Sequence, residues 1–173
     1  MRILENPKTE RYAYLKELVL GSAFPWNWTV ETTPGQEKEG HDNISQYTHA
    51  FLVAPGNSPH QYPIANSELT NNCIGIFQEI LRHNGIEPKV FYRASANSVH
   101  PTDLNLPCVP HVDHDELEHT NILVYLTDAH GGYVTCGNDT HMPREDDVIL
   151  FQGEHYFQPP NKERRVCLVG TFL

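Results

Sequence analysis

Two stretches in the first half of the chain repeat their apolar residues at helical spacing. After Thr9, the residues Tyr12, Leu15, Leu18 and Val19 recur three or four apart and share one side of a predicted helix. Thr9 is a fitting cap for it, and Gly21 a fitting stop. The second stretch, "NSELTNNCIGIFQEILRHNG", sets Leu69, Cys73, Phe77, Ile80 and Leu81 in one stripe, with Asn66 or Ser67 as cap and Gly85 as terminator. Each helix has an apolar face that something else must cover.

Beyond Gly85 the period changes. Short runs rich in β-branched and aromatic residues follow one another: "KVFYRASA", "NILVYLT", "GYVTC", "DVILFQ", "EHYFQ" and "RVCLVGTFL". Turn chemistry such as "DAHGG" and "CGNDT" separates them. The pattern predicts a C-terminal β-structure of about six to eight strands, most simply a sandwich or jelly roll. "NILVYL" and "DVILF" are apolar at successive positions, so both of their faces should be buried, one of them under the helices.

No repeat, low-complexity tract or flexible linker divides the 173 residues, which predicts a single domain over 1–173. Within it, residues 1–87 would supply helices and loops, and 88–173 the β core. Residues 31–46 are polar and acidic without periodicity. Residues 31–62 as a whole, including "APGNSPHQY", could form a substrate-covering segment or a passive surface loop. A net charge of -10 removes the usual electrostatic footprint of nucleic-acid binding, so no nucleic-acid partner is expected. Cys73, Cys108, Cys136 and Cys167 form no CxxC pair and read as reduced, buried thiols. The opening residues have neither a signal-peptide pattern nor a membrane span, so a cytoplasmic protein without a membrane partner is the default.

The stretch "PCVPHVDHDE", residues 107–116, carries the candidate chemistry. In an extended chain residues i and i+2 share a face, so His111 and Asp113 can present an imidazole and a carboxylate to one point, with Val112 packed behind. His114, Asp115 and Glu116 would leave towards solvent or substrate. His155 lies 42 residues after Asp113, at the start of an apolar strand pattern. Two nitrogens and one carboxylate oxygen on one face suit non-haem Fe(II) with open positions. An H-x-D triplet alone is a weak signal; the order of strand, Gly-Gly turn, strand, histidine and then a double arginine strengthens it. His114, His119, His130 and His141 read as solvated turn residues.

The run from "PHVDHDE" through "NILVYLTDAHGGYVTC" to "DDVILFQGEHYFQPPNKERRVCLVGTF" resembles the Fe(II)/2-oxoglutarate-dependent oxygenases, in the prolyl-4-hydroxylase-like branch of bacteria, phages and animals. The resemblance covers roughly residues 88–173. It implies a mainly β fold, a double-stranded β-helix or jelly roll with N-terminal helices packed on the major sheet. His111, Asp113 and His155 would be the iron ligands and the catalytic centre. An arginine on the last strand would hold the far carboxylate of 2-oxoglutarate, because a guanidinium matches a carboxylate with two parallel hydrogen bonds.

Arg164 and Arg165 compete for that place. Strand alternation groups Arg165 with Cys167, Val169 and Thr171, and Arg164 with the apolar stripe Val166, Leu168 and Phe172, which favours Arg165. Tyr125 sits like the tyrosine whose hydroxyl bonds the same carboxylate, and Asn97 like a residue that contacts co-substrate or substrate. The implied cofactors are Fe(II), 2-oxoglutarate and O2, with ascorbate as a stimulant. The implied activity is hydroxylation of a C–H bond, foremost of a prolyl residue in a protein or peptide, as 2-oxoglutarate becomes succinate. For a phage-encoded chain the compartment would be the host cytoplasm. The alternative is a cupin-like metal-binding or scaffold module on the same jelly roll, without oxygenase activity.

Overall fold

Arg2–Leu4 (β1) opens the chain beside a much later strand, Val148–Phe151 (β9), and so closes one edge of the main sheet. The computed structural model describes residues 1–33, 36–55, 62–103, 105–114 and 116–173. Both expected helices form. Helix α1 spans Glu10–Leu20 and α2 spans Thr70–His83. Thr9 caps α1 by accepting the amide of Tyr12, and Gly21 takes the last carbonyls. At α2 the capping differs: Leu69 is the cap position and gives no side-chain bond, while Ser67 accepts the Leu69 amide one step earlier. Gly85, with φ of 72°, ends the helical run in the left-handed region that favours glycine.

The further strands are Asn27–Thr29 (β2), Gln46–Val53 (β3), Ile64–Ala65 (β4), Phe91–Val99 (β5), Thr120–Tyr125 (β6), Tyr133–Cys136 (β7), Asp139–His141 (β8), His155–Gln158 (β10) and Arg165–Phe172 (β11). The large antiparallel sheet runs β1-β9-β6-β11-β5-β3-β2, with β4 beside β3; the small one runs β10-β7-β8. This is the mainly β, two-sheet jelly roll with two supporting helices.

Strand alternation on β11 sorts the core. Val166, Leu168 and Phe172 face outwards and pack with Leu15, Val19, Cys73, Phe77, Ile80 and Leu81 of the helices. Cys167 and Val169 face inwards with Tyr125, Val134, Ile149 and Phe151. Each fully buried large aliphatic or aromatic side chain there contributes about 1.5–3 kcal/mol of transfer free energy. The helices thus cover one face of the large sheet, and its other face is left for the small sheet and the site between them. Among the described residues no helix is long and apolar enough to cross a membrane.

Candidate active site

His155 opens β10, and His111 lies across from it. Their main chains exchange two hydrogen bonds, His111 N–H to His155 O and His155 N–H to His111 O, both 2.9 Å. His111 is therefore not part of a regular strand, contrary to the expectation for "HVD". It sits in a single bridge, between Pro107 and Pro110 on one side and a bend at Asp113 on the other. Proline has no amide to donate, so a continuous ladder cannot form there. Val112 is also not packed behind the pair: it is 36% exposed and borders the cavity.

The side chains nonetheless converge. One ligand atom from each of His111, Asp113 and His155 lies within 4.8 Å of the others, and among the described residues no other group of such side chains meets this condition. Asp113 Oδ2 stands 3.8 Å from His155 Nε2. His111 Nδ1 donates to Val109 O at 2.8 Å and His155 Nδ1 to Gly153 O at 3.4 Å, which leaves both Nε2 lone pairs free. Burial first, with the neighbouring His111 adding to it and Asp113 opposing, pushes His155 down to about 4, so its imidazole is neutral near pH 7. Burial works against ionisation of Asp113, yet Arg93 and the imidazoles of His155 and His111 hold its carboxyl well below the usual carboxylate range. Two imidazoles and a carboxylate are the donor set that fits Fe(II).

Arg165 enters the same cavity of about 220 Å3. The guanidinium is 4% exposed and lies 4.2 Å over the ring of Phe157. It has no acidic partner among the described residues, and its Nε has no hydrogen bond. A buried, uncompensated guanidinium is costly and calls for an anion. Tyr125, fully buried on β6 across from Cys167, also points its hydroxyl into this cavity without a partner. Burial pushes the phenol far up, against the pull of Arg165, so it stays a proton donor. Arg164 turns the other way and donates to Leu20 O at 3.1 Å, on the helix side. An unpartnered guanidinium beside a phenol hydroxyl is an arrangement that suits a bound carboxylate.

Several residues near the cavity were not singled out from the sequence. Arg93 Nη1 donates to Asp113 Oδ1 at 3.1 Å; it shares the inward face of β5 with Asn97, the alternation that would have revealed it. Asn97, which the resemblance singles out, borders the cavity with its Oδ1 unpartnered among the described residues. Thr33 is tied to Asn43 by three hydrogen bonds, which sets Thr32 and Gln36 against the cavity. Thus part of the expected covering segment 31–62 does line the site, while residues 34, 35 and 56–61 lie outside the described residues, as does Asp115. His114 and His119 are 7% and 6% exposed, not solvated, because Tyr92 packs edge-on to His114 and His114 edge-on to His119.

No family model and no curated protein matches the sequence. Solved structures do match. An oxidoreductase of the 2OG-Fe(II) oxygenase family from Burkholderia pseudomallei superposes with a TM-score of 0.66 at 14% identity, covering 92% of this chain and 77% of that one. A prolyl hydroxylase from Trichoplax adhaerens, in complex with a peptide fragment of the hypoxia inducible factor oxygen degradation domain, gives 0.60 at 10% identity, over 99% and 82% of the two chains. The fold is that of the 2OG-Fe(II) oxygenases. The non-heme alpha-ketoglutarate-dependent epimerase SnoN from nogalamycin biosynthesis superposes with a TM-score of 0.55 at 11% identity, covering 94% of this chain and 71% of that one. At these identities the likeness establishes architecture, and the chemistry rests on the residues of the oxygenase-fold cavity.

Proposed function

We propose that the chain is a 2-oxoglutarate- and Fe(II)-dependent dioxygenase that hydroxylates a prolyl residue of a protein or peptide. The observation that carries this reading is Arg165: a buried guanidinium without an acidic partner among the described residues, facing the cavity that holds His111, Asp113 and His155. A structural metal module would have no use for it. The peptide complex of the similar Trichoplax prolyl hydroxylase supports a peptide substrate.

His111, Asp113 and His155 would hold the metal, and Arg165 with Tyr125 would bind the far carboxylate of 2-oxoglutarate. When bound, Fe(II), 2-oxoglutarate and O2 supply oxidative decarboxylation to succinate and CO2 together with hydroxylation of a C–H bond. The chain's own residues prepare the site for this. Val109 O and Gly153 O fix the two imidazole tautomers, and Arg93 holds the Asp113 oxygen that faces it. Leu123, Val134 and Val169 wall the cavity with apolar groups, which keeps bulk water from the reacting groups. Phe157 lies against the Arg165 guanidinium and limits its hydration.

The test is to incubate purified protein with Fe(II), ascorbate and 2-oxoglutarate and measure succinate, with and without proline-containing peptides. Succinate should form with wild type, rise with an accepted peptide and disappear in His111→Ala. Equal behaviour of wild type and His111→Ala would end the oxygenase reading. Succinate without hydroxyproline would remove only the prolyl assignment.

A further inference from the structure

Val112 borders a second space as well as the metal cavity: an open groove of about 670 Å3 walled by Glu116, Leu117, Glu118 and Gln152, with His114 and His119 beneath. Both histidines are more than nine-tenths buried, and the Nε2 of each has no hydrogen-bond partner. His119 Nδ1 donates to Leu117 O at 3.0 Å, so in the neutral ring its Nε2 is the lone-pair nitrogen and can only accept.

The two carboxylates of the groove, Glu116 and Glu118, are acceptors too, and the Gln152 amide donates to Thr120 Oγ1 at 2.9 Å. Glu116 takes the Tyr92 hydroxyl at 3.0 Å through Oε1, and the same oxygen lies 3.6 Å from His114 Nδ1. Glu118 makes no ion pair or hydrogen bond among the described residues. Arg93, the cation nearest His114 and Asp113, is committed to Asp113 at 3.1 Å. The groove therefore has a surplus of acceptors and negative charge, on a chain whose net charge is already -10. Its complement is a cation that donates several hydrogen bonds and accepts none, which describes a guanidinium.

We propose that this groove receives the cationic side chain, arginine foremost, of a peptide whose neighbouring residue reaches the triad. This rests on the oxygenase reading and adds to it a substrate class: a target residue in a basic sequence context. The groove and the metal cavity share Val112 as their common border, so one extended peptide can engage both. Charge complementarity at such a rim sets partner choice and encounter rate.

The experiment uses Mn(II)-loaded protein and proline-containing pentapeptides that carry arginine at each position in turn. Matched peptides replace arginine with citrulline, which keeps the shape and removes the charge. Binding is read by calorimetry, without turnover. At one or more positions arginine should bind about tenfold tighter than citrulline, and this preference should fall below about threefold in Glu116→Gln/Glu118→Gln. Equal binding of arginine and citrulline at every position, or a preference that survives in the double variant, would overturn the proposal. A preceding titration with 2-oxoglutarate separates the two ideas: its failure counts against the oxygenase reading, while the arginine–citrulline comparison still decides the groove.

Discussion

His111 and His155 are joined through their main chains, each donating its amide to the other's carbonyl at 2.9 Å. Two imidazoles from segments far apart in sequence are thereby held side by side, with ring centroids 4.5 Å apart. Because the link is main chain, it survives removal of either side chain. His111→Ala should leave the melting temperature of the metal-free protein nearly unchanged and abolish the rise that Mn(II) produces in wild type. Thermal denaturation with and without Mn(II) checks this. A metal-dependent rise that persists in His111→Ala would show that the ion binds elsewhere.

Arg93 holds the Asp113 carboxylate from outside the triad. Loss of a partner of this kind commonly weakens metal binding by about 10–100-fold. Arg93→Met should show that loss in a Mn(II) titration, and Arg93→Lys should recover part of it. Unchanged affinity in Arg93→Met would reduce Arg93 to a bystander.

Gly170 on β11 lies directly under Phe77 of α2. A Cβ there would lie 2.7 Å from Phe77 Cε2 and 2.9 Å from Ile122 Cγ2. Gly170→Ala should destabilise the protein by about 1–3 kcal/mol through overpacking. Chemical denaturation would measure it, and a second substitution of Phe77 by Leu should restore part of the loss.

Asp146 ties α1 to the loop before β9. Burial raises its carboxyl, but hydrogen bonds from Lys16, Lys8 and Tyr12 outweigh this and bring it down to about 2. A depressed carboxylate stabilises the fold above its unfolded value, and that contribution is lost as pH falls from about 4 towards 2. Asp146→Asn should cost about 1 kcal/mol at pH 7 and flatten the acid limb of the stability curve. Denaturant midpoints between pH 7 and pH 2 would record both effects.

The helices and the late strands were legible because each has a simple period and one obvious face to bury. Strand β3 was not. In "QYTHAFLV" the residues Tyr47, His49 and Phe51 alternate with Thr48, Ala50 and Leu52, so neither face reads cleanly as polar or apolar. The cause is physical: one face packs under Phe24 and α2, while the other runs towards the polar cavity, where Gln46 lines the wall.

In the site, His111, Asp113, His155 and the inward turn of Arg165 could be anticipated from order and alternation. The bridge geometry of His111 could not, because it depends on a distant main chain. The burial of His114 and His119 was equally hidden, since it is produced by Tyr92 on β5 and by their mutual contact. Local polarity described their neighbours in sequence and missed their neighbours in space.

The most direct measurement is anaerobic calorimetric titration of the Fe(II)-loaded protein with 2-oxoglutarate, in wild type, Arg164→Met and Arg165→Met. Wild type and Arg164→Met should bind alike, because Arg164 is engaged with Leu20 O on the helix side. Arg165→Met should lose binding while remaining at least as stable, since it removes a buried charge that has no acidic partner among the described residues. Undiminished 2-oxoglutarate binding by Arg165→Met, or no binding by wild type, would contradict the assignment of this cavity.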